Sequence, residues 1–123
     1  MGEKILVVDD DPEIQLAMQG PLEAAGYTVR LCDHGRDVPA AVAEFKPDLL
    51  LLDVMLPGAD GFSLAMSLSE NEATARLPII VVSGLDTSEA LFRTLPQVAA
   101  FVTKPFDTVS LVEKVRKALL PKT

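Results

Sequence analysis

A chain of 123 residues and 13.2 kDa has the size of one domain, and 49% apolar residues with a mean hydropathy of +0.29 exclude a disordered acidic segment. Eleven Lys and Arg against 18 Asp and Glu leave a net charge of −7 and a pI near 4.5, which argues against direct binding of nucleic-acid phosphates or an anionic membrane. A lone Cys32 and a lone His34 rule out a disulfide framework and a cysteine–histidine zinc set. Met1 to Lys4 leads straight into an apolar run without the regions of a signal peptide, so a cytoplasmic protein is the expectation.

Short apolar runs alternate with helical patterns along the chain. The first run, Ile5 to Val8, is followed by Asp11 and Pro12, which suit the cap and first position of a helix. Ile14, Ala17, Met18, Leu22 and Ala25 then recur at helical spacing, Pro21 should kink the pattern, and Gly26 suits a left-handed stop. Tyr27 to Cys32 alternates with Thr28 and Arg30 and reads as an edge strand. A second helix starts between Gly35 and Val38 and presents Val38, Ala41, Val42 and Phe45. Leu49 to Leu52 is a third strand, and Asp60-Gly61 opens a third helix carrying Phe62, Ala65, Met66 and Leu68. Ile79 to Val82 is the fourth strand. Asp86 and Glu89 resemble a capping box for a short helix ending before Pro96. Val98 to Val102 is the fifth strand, and Asp107 caps a last helix with the stripe Leu111, Val112, Val115, Ala118 and Leu119. All runs but the Tyr27–Cys32 one are apolar on both alternating faces, as expected of parallel strands covered by helices on each side. The fold class is therefore α/β, an open parallel sheet with right-handed crossovers.

Such sheets place their ligands beyond the carboxyl ends of the strands. Asp9 and Asp10 follow the first run, Asp53 the third, Ser83 the fourth and Lys104 the fifth. Any one of these has an ordinary reading as a cap, a turn or a solvated loop, but all of them fall on one edge. Asp9, Asp10 and Asp53 would stand within about 4–6 Å, where each like-charge pair repels by roughly 3–4 kcal/mol. Protonation or a hard cation relieves that repulsion, and oxygen donors without histidine point to magnesium or manganese. Beside such an ion, Lys104 and the Ser83 hydroxyl suit the oxygens of a phosphoryl group. No glycine-rich nucleotide loop is present, which leaves a phosphate carried covalently by a carboxylate.

At this point the chain resembles the receiver domain of bacterial two-component response regulators. Leu6-Val7-Val8-Asp9-Asp10, Leu52-Asp53-Val54-Met55-Leu56-Pro57-Gly58, Asp60-Gly61, Val82-Ser83-Gly84 and Thr103-Lys104-Pro105-Phe106 carry the likeness in order and spacing. It covers about residues 3–120 of a single domain spanning 1–123. The resemblance implies a flavodoxin-like, doubly wound sheet of strand order 2-1-3-4-5. It makes Asp53 the acceptor of a phosphoryl group from a sensor histidine kinase or a histidine phosphotransfer protein. Asp9, Asp10, Asp53 and the Met55 backbone carbonyl would hold Mg2+, and Ser83 and Lys104 would engage the phosphate. Phe101 matches the switch aromatic that moves with Ser83, and Lys104-Pro105 a peptide bond that is often cis. The implied outcome is a changed affinity for an output domain or partner protein, including phosphorylation-dependent pairing of two copies.

Three features depart from the common pattern. Leu95 to Ala100 replaces the usual Gly-Ala stretch, Phe101 replaces a tyrosine, and Met55 and Leu85 place apolar side chains where the hydrolytic water is positioned. Slow self-dephosphorylation is the expectation, checked by the lifetime of the phosphorylated form. Two other readings compete. A pseudo-receiver would bind partners without phosphorylation. A haloacid-dehalogenase-type phosphatase would need a second aspartate two residues after Asp53, where this chain has Met55.

Overall fold

The computed structural model describes residues 2–53, 55–56, 59–83 and 94–120. Five parallel strands form one sheet: β1 (Lys4–Val8), β2 (Thr28–Cys32), β3 (Leu49–Asp53), β4 (Ile79–Ser83) and β5 (Val98–Thr103), in the order β2-β1-β3-β4-β5. Four helices are described: α1 (Pro12–Ala24), α2 (Val38–Phe45), α3 (Gly61–Glu70) and α4 (Thr108–Ala118). A two-residue antiparallel ladder, Met55–Leu56 with Ala59–Asp60, lies between β3 and α3. The helix expected from Asp86 lies outside the described residues.

Alternation along the strands divides the core in two. Leu6, Val8, Leu50, Leu52, Ile79 and Val81 face α2 and α3, where Val38, Val42, Ala65 and Leu68 close the layer. Ile5, Val7, Leu49, Leu51, Ile80 and Val82 face Met18 and Leu22 of α1 and Leu111 and Val115 of α4. β3 is buried along its whole length, which is why Leu49 to Leu52 has no polar face. As expected, β2 is an edge strand and only Cys32 in it is buried. β5 is the opposite edge, as the expected order 2-1-3-4-5 requires, but it is less covered than its apolar run implied, and Ala99 is exposed. Alanines tolerate that position because they offer little apolar surface to either side.

The caps explain where the helices begin. Asp11 Oδ1 accepts the Glu13 N–H at 2.9 Å, and Asp107 Oδ1 accepts the Val109 N–H at 3.3 Å. α1 continues through Pro21 to Ala24, and Gly26 takes φ +100° as the stop. α2 follows a 3-10 turn over Gly35–Asp37, and it ends on Lys46 in the left-handed region at φ 53°. Asp48 accepts the Lys4 N–H at 2.7 Å and so ties the start of β3 to the start of β1. Among the described residues no helix is long and apolar enough to cross a membrane.

Candidate functional site

The strand register brings the polar groups to one rim. Val8 pairs with Leu52, Leu52 with Val81, and Asp53 with Val82, so Asp9 and Asp53 end neighbouring strands at about the same level. One residue further, Ser83 pairs with Thr103, and Lys104 follows. The ladder is finished there, and the chain turns away with its side chains no longer bound to alternate across a sheet. The Lys104–Pro105 peptide bond is cis.

Asp9, Asp10 and Asp53 each offer a carboxylate oxygen within 4.8 Å of the others. Asp9 is fully buried and Asp53 is 3% exposed, whereas Asp10 faces solvent. Lys104 Nζ lies 3.0 Å from Asp9 Oδ2 and 3.3 Å from Asp53 Oδ2. The three carboxylates and one ammonium sum to a charge of −2. Burial pulls the Lys104 ammonium down, but its contact with Asp9 and the charges of Asp53 and Asp9 outweigh this and raise its pKa overall. It is therefore a firm cation at neutral pH.

The acidic turn is braced from its own backbone. Asp9 Oδ1 accepts the Asp11 N–H at 2.9 Å, and the Asp9 N–H donates to the Cys32 carbonyl at 3.0 Å. Gln15 Nε2 donates to the Asp9 carbonyl at 2.6 Å. Asp9 Oδ2 is buried and finds no well-aligned hydrogen-bond donor, although the Lys104 ammonium lies 3.0 Å away. A buried carboxylate oxygen without a well-aligned donor, beside two further carboxylates, fits a small hard cation better than it fits a closed structural ion pair. The donor set is all oxygen, which again suits Mg2+.

Of the residues singled out from the sequence, the structure brings together Asp9, Asp10, Asp53 and Lys104. Ser83 ends β4 on the same rim, but its side chain lies outside the described residues, as does that of Met55. Met55 is described through its backbone, which pairs with Asp60. Phe101, on β5 beside Val81, is half-buried against the layer closed by α2 and α3. Its carbonyl accepts from Lys114 Nζ at 2.6 Å. Leu85 lies outside the described residues.

Sequence reasoning missed Gln15 and Lys114. Gln15 sits three residues before Met18 and seven before Leu22, a polar residue at the spacing of the buried stripe, and that was the available signal. A second trio, Asp33, His34 and Asp37, also brings ligand atoms together, but all three residues are exposed. A groove lined by Asp48, Arg76, Pro78, Gln97 and Lys117 lies at the opposite end of the sheet and takes none of Asp9, Asp10 and Asp53.

The sequence profile of the response regulator receiver domain matches residues 5–116. The chain belongs to this family. Among its relatives, the phosphate regulon transcriptional regulatory protein PhoB of Pseudomonas aeruginosa is 37% identical over 125 residues, covering 100% of this chain and 54% of that protein. The DNA-binding dual master transcriptional regulator RpaA of Synechocystis is 36% identical over 121 residues, covering 98% of this chain and 50% of RpaA. The receiver therefore spans about half the length of these two regulators. A crystal structure of a putative response regulator from Chloroflexus aurantiacus superposes with a TM-score of 0.90 at 29% identity, covering 97% of this chain and 98% of that one. The receiver assignment places this chain in two-component signalling.

Proposed function

We propose that this receiver is a phosphoacceptor switch and that Asp53 is the residue modified. The observation that carries the reading is the convergence of three carboxylates and Lys104 on one sheet rim. An Asp53 carboxylate oxygen attacks the phosphorus of a phosphohistidine on a sensor kinase or phosphotransfer protein. The new P–O bond forms as the P–N bond breaks, and the imidazole leaves with the nitrogen electron pair. Asp9, Asp10, Asp53 and the Met55 carbonyl are the groups that would hold Mg2+. When bound, the ion supplies positive charge to the phosphoryl oxygens and to the crowded carboxylates.

This chain's own residues do the remaining work. Lys104, already 3.3 Å from Asp53, offers its ammonium to a phosphoryl oxygen, and Ser83 offers a hydroxyl from the end of β4. Phosphorylation replaces the single charge of the Asp53 carboxylate with the roughly −1.5 to −2 of an acyl phosphate, a net gain of about one negative charge at most, and draws both groups toward it. Phe101 on the adjoining strand responds to the space Ser83 vacates, and the altered surface changes affinity for an output domain or partner. Met55 and Leu85 offer no polar group to hold a water, so the phosphorylated form hydrolyses slowly. A cytoplasmic protein fits this reading.

Incubation with Mg2+ and acetyl phosphate, followed by mass spectrometry, tests the reading. The expected result is one base-labile phosphoryl group mapped to Asp53 and absent from Asp53→Asn. Folded protein that takes no label at Asp53 refutes it. Continuous release of phosphate at a rate typical of a catalyst would favour a phosphatase instead.

A further inference from the structure

The turn that carries Asp9 and Asp10 is under electrostatic load. Two of three mutually repelling carboxylates stand on it, and Lys104 touches Asp9 but is not paired with Asp10 among the described residues. Gln15, half-buried on the first turn of α1, reaches back over this segment. Its Nε2 donates to the Asp9 carbonyl at 2.6 Å and, at the longer distance of 3.5 Å, to the Cys32 carbonyl. That same Cys32 carbonyl accepts the Asp9 N–H at 3.0 Å, so the amide joins the ends of β1 and β2 at the residue where the acidic turn begins. The Gln15 N–H donates in turn to the Asp11 carbonyl at 3.0 Å, which fastens the far side of the turn.

We propose that Gln15 is a positioning residue for cation binding. Its amide pins the Asp9 carbonyl and keeps Asp9 and Asp10 facing Asp53 against their mutual repulsion. A neutral donor suits this task. A cationic side chain in its place would brace the turn but cancel part of the −2 charge that attracts the ion. Partners of this kind behind a ligand carboxylate set its orientation, and their loss typically weakens metal affinity about 10–100-fold. The inference rests on the acidic trio being the Mg2+ site.

Gln15→Met keeps the length and apolar stem of the side chain and removes the donor. In metal-free protein, amide hydrogen exchange at Asp10 and Asp11 should speed up several-fold, with the amides of Leu111 to Val115 in α4 unchanged. The Mg2+ dissociation constant, followed by amide chemical shifts, should rise about tenfold. The rate of labelling by acetyl phosphate at saturating Mg2+ should stay within about twofold of wild type, because the reacting groups are untouched. Gln15→Lys restores a donor of comparable reach and should restore slow exchange in the turn. If Gln15→Met does not fold, Gln15→Asn, whose amide falls one methylene short, takes its place. An unchanged Mg2+ affinity in a variant whose wild type binds Mg2+ overturns the proposal alone. Faster exchange in α4 as well as in the turn overturns it in favour of general destabilisation. A wild type without saturable Mg2+ binding overturns both this proposal and the reading it rests on.

Discussion

Lys104→Met removes the ammonium that meets Asp9 and Asp53 while keeping most of the side-chain stem. At 3.0 and 3.3 Å, and at an effective dielectric of about 20, each contact is worth about 5 kcal/mol of attraction. The Lys104 side chain is 24% exposed, and its own desolvation and solvent screening offset much of that sum. What remains is the cost of leaving two buried carboxylates beside a third with no cation, about 3 kcal/mol by analogy with broken buried pairs. For a domain of this size that corresponds to a melting temperature lower by about 10 °C. The assay is urea unfolding followed by circular dichroism, in metal-free buffer and again at saturating Mg2+. Because a divalent ion substitutes for the lost charge, the deficit should shrink by more than half with Mg2+, and the variant should bind Mg2+ more tightly than wild type. The pH dependence has a definite sign. The Lys104 pKa is raised, so its contribution is complete below its ordinary value of 10.5 and is lost as the pH rises above that value through the folded-state pKa. Wild type should therefore lose stability above about pH 10.5 more steeply than Lys104→Met. Equal stability of the two proteins in metal-free buffer at neutral pH would refute the reasoning.

Pro21, Asp10 and Cys32 each carry a further expected outcome. Pro21 sits inside α1 without an N–H for the Ala17 carbonyl, so Pro21→Ala should stabilise by about 1–2 kcal/mol after subtracting the freedom it returns to the unfolded chain; a lower melting temperature would contradict this. Asp10 is exposed and repels two neighbours, so Asp10→Asn should raise metal-free stability by about 0.5–1 kcal/mol and abolish the stabilisation that Mg2+ confers on wild type, as read by unfolding with and without the ion. Burial pushes the Cys32 thiol up, and its Sγ donates to the His34 carbonyl at 3.3 Å, so alkylation in the native state at pH 8 should run at least about tenfold slower than in urea; equal rates would show the thiol to be open.

The sheet was legible because parallel strands buried on both faces need continuous apolar runs, and Ile5 to Val8 and Leu49 to Leu52 have no other economical reading. The acidic residues were legible for a related reason: each stands where such a run stops. The edge position of β5 was legible only through the family resemblance, since Val98 to Val102 is as apolar as an interior strand and only its pairing with β4 alone distinguishes it. Lys46 in the left-handed region could not be foreseen, because the usual glycine or asparagine is missing and the following Pro47 ends the helix by its own constraint. Asp37 has the residue type of a cap and stands at the start of α2, but its side chain makes no capping bond. Gln15 and Lys114 act on backbone carbonyls six and 13 residues away, contacts that depend on how strand ends and helices are placed and leave no motif of their own in the sequence.

The two apolar layers and the acidic rim obey opposite rules. In the layers, neighbouring residues support one another, and strand pattern, helix stripe and burial agree. At the rim, three carboxylates share one ammonium, and every local criterion of stability would favour an amide at Asp10 or Asp53. Confining the conflict to the place where the strands have ended limits its cost, because the ladder and both layers are complete below it. It also fixes what can relieve it. One positive charge against three negative ones leaves −2 among the described residues, so a monovalent ion leaves the site underneutralised and a divalent one balances it. Transfer of a phosphoryl group to Asp53 then upsets that balance by about one negative charge, since the phosphate's charge replaces that of the carboxylate, and Lys104, already in contact with two of the carboxylates, is the cation placed to move in response.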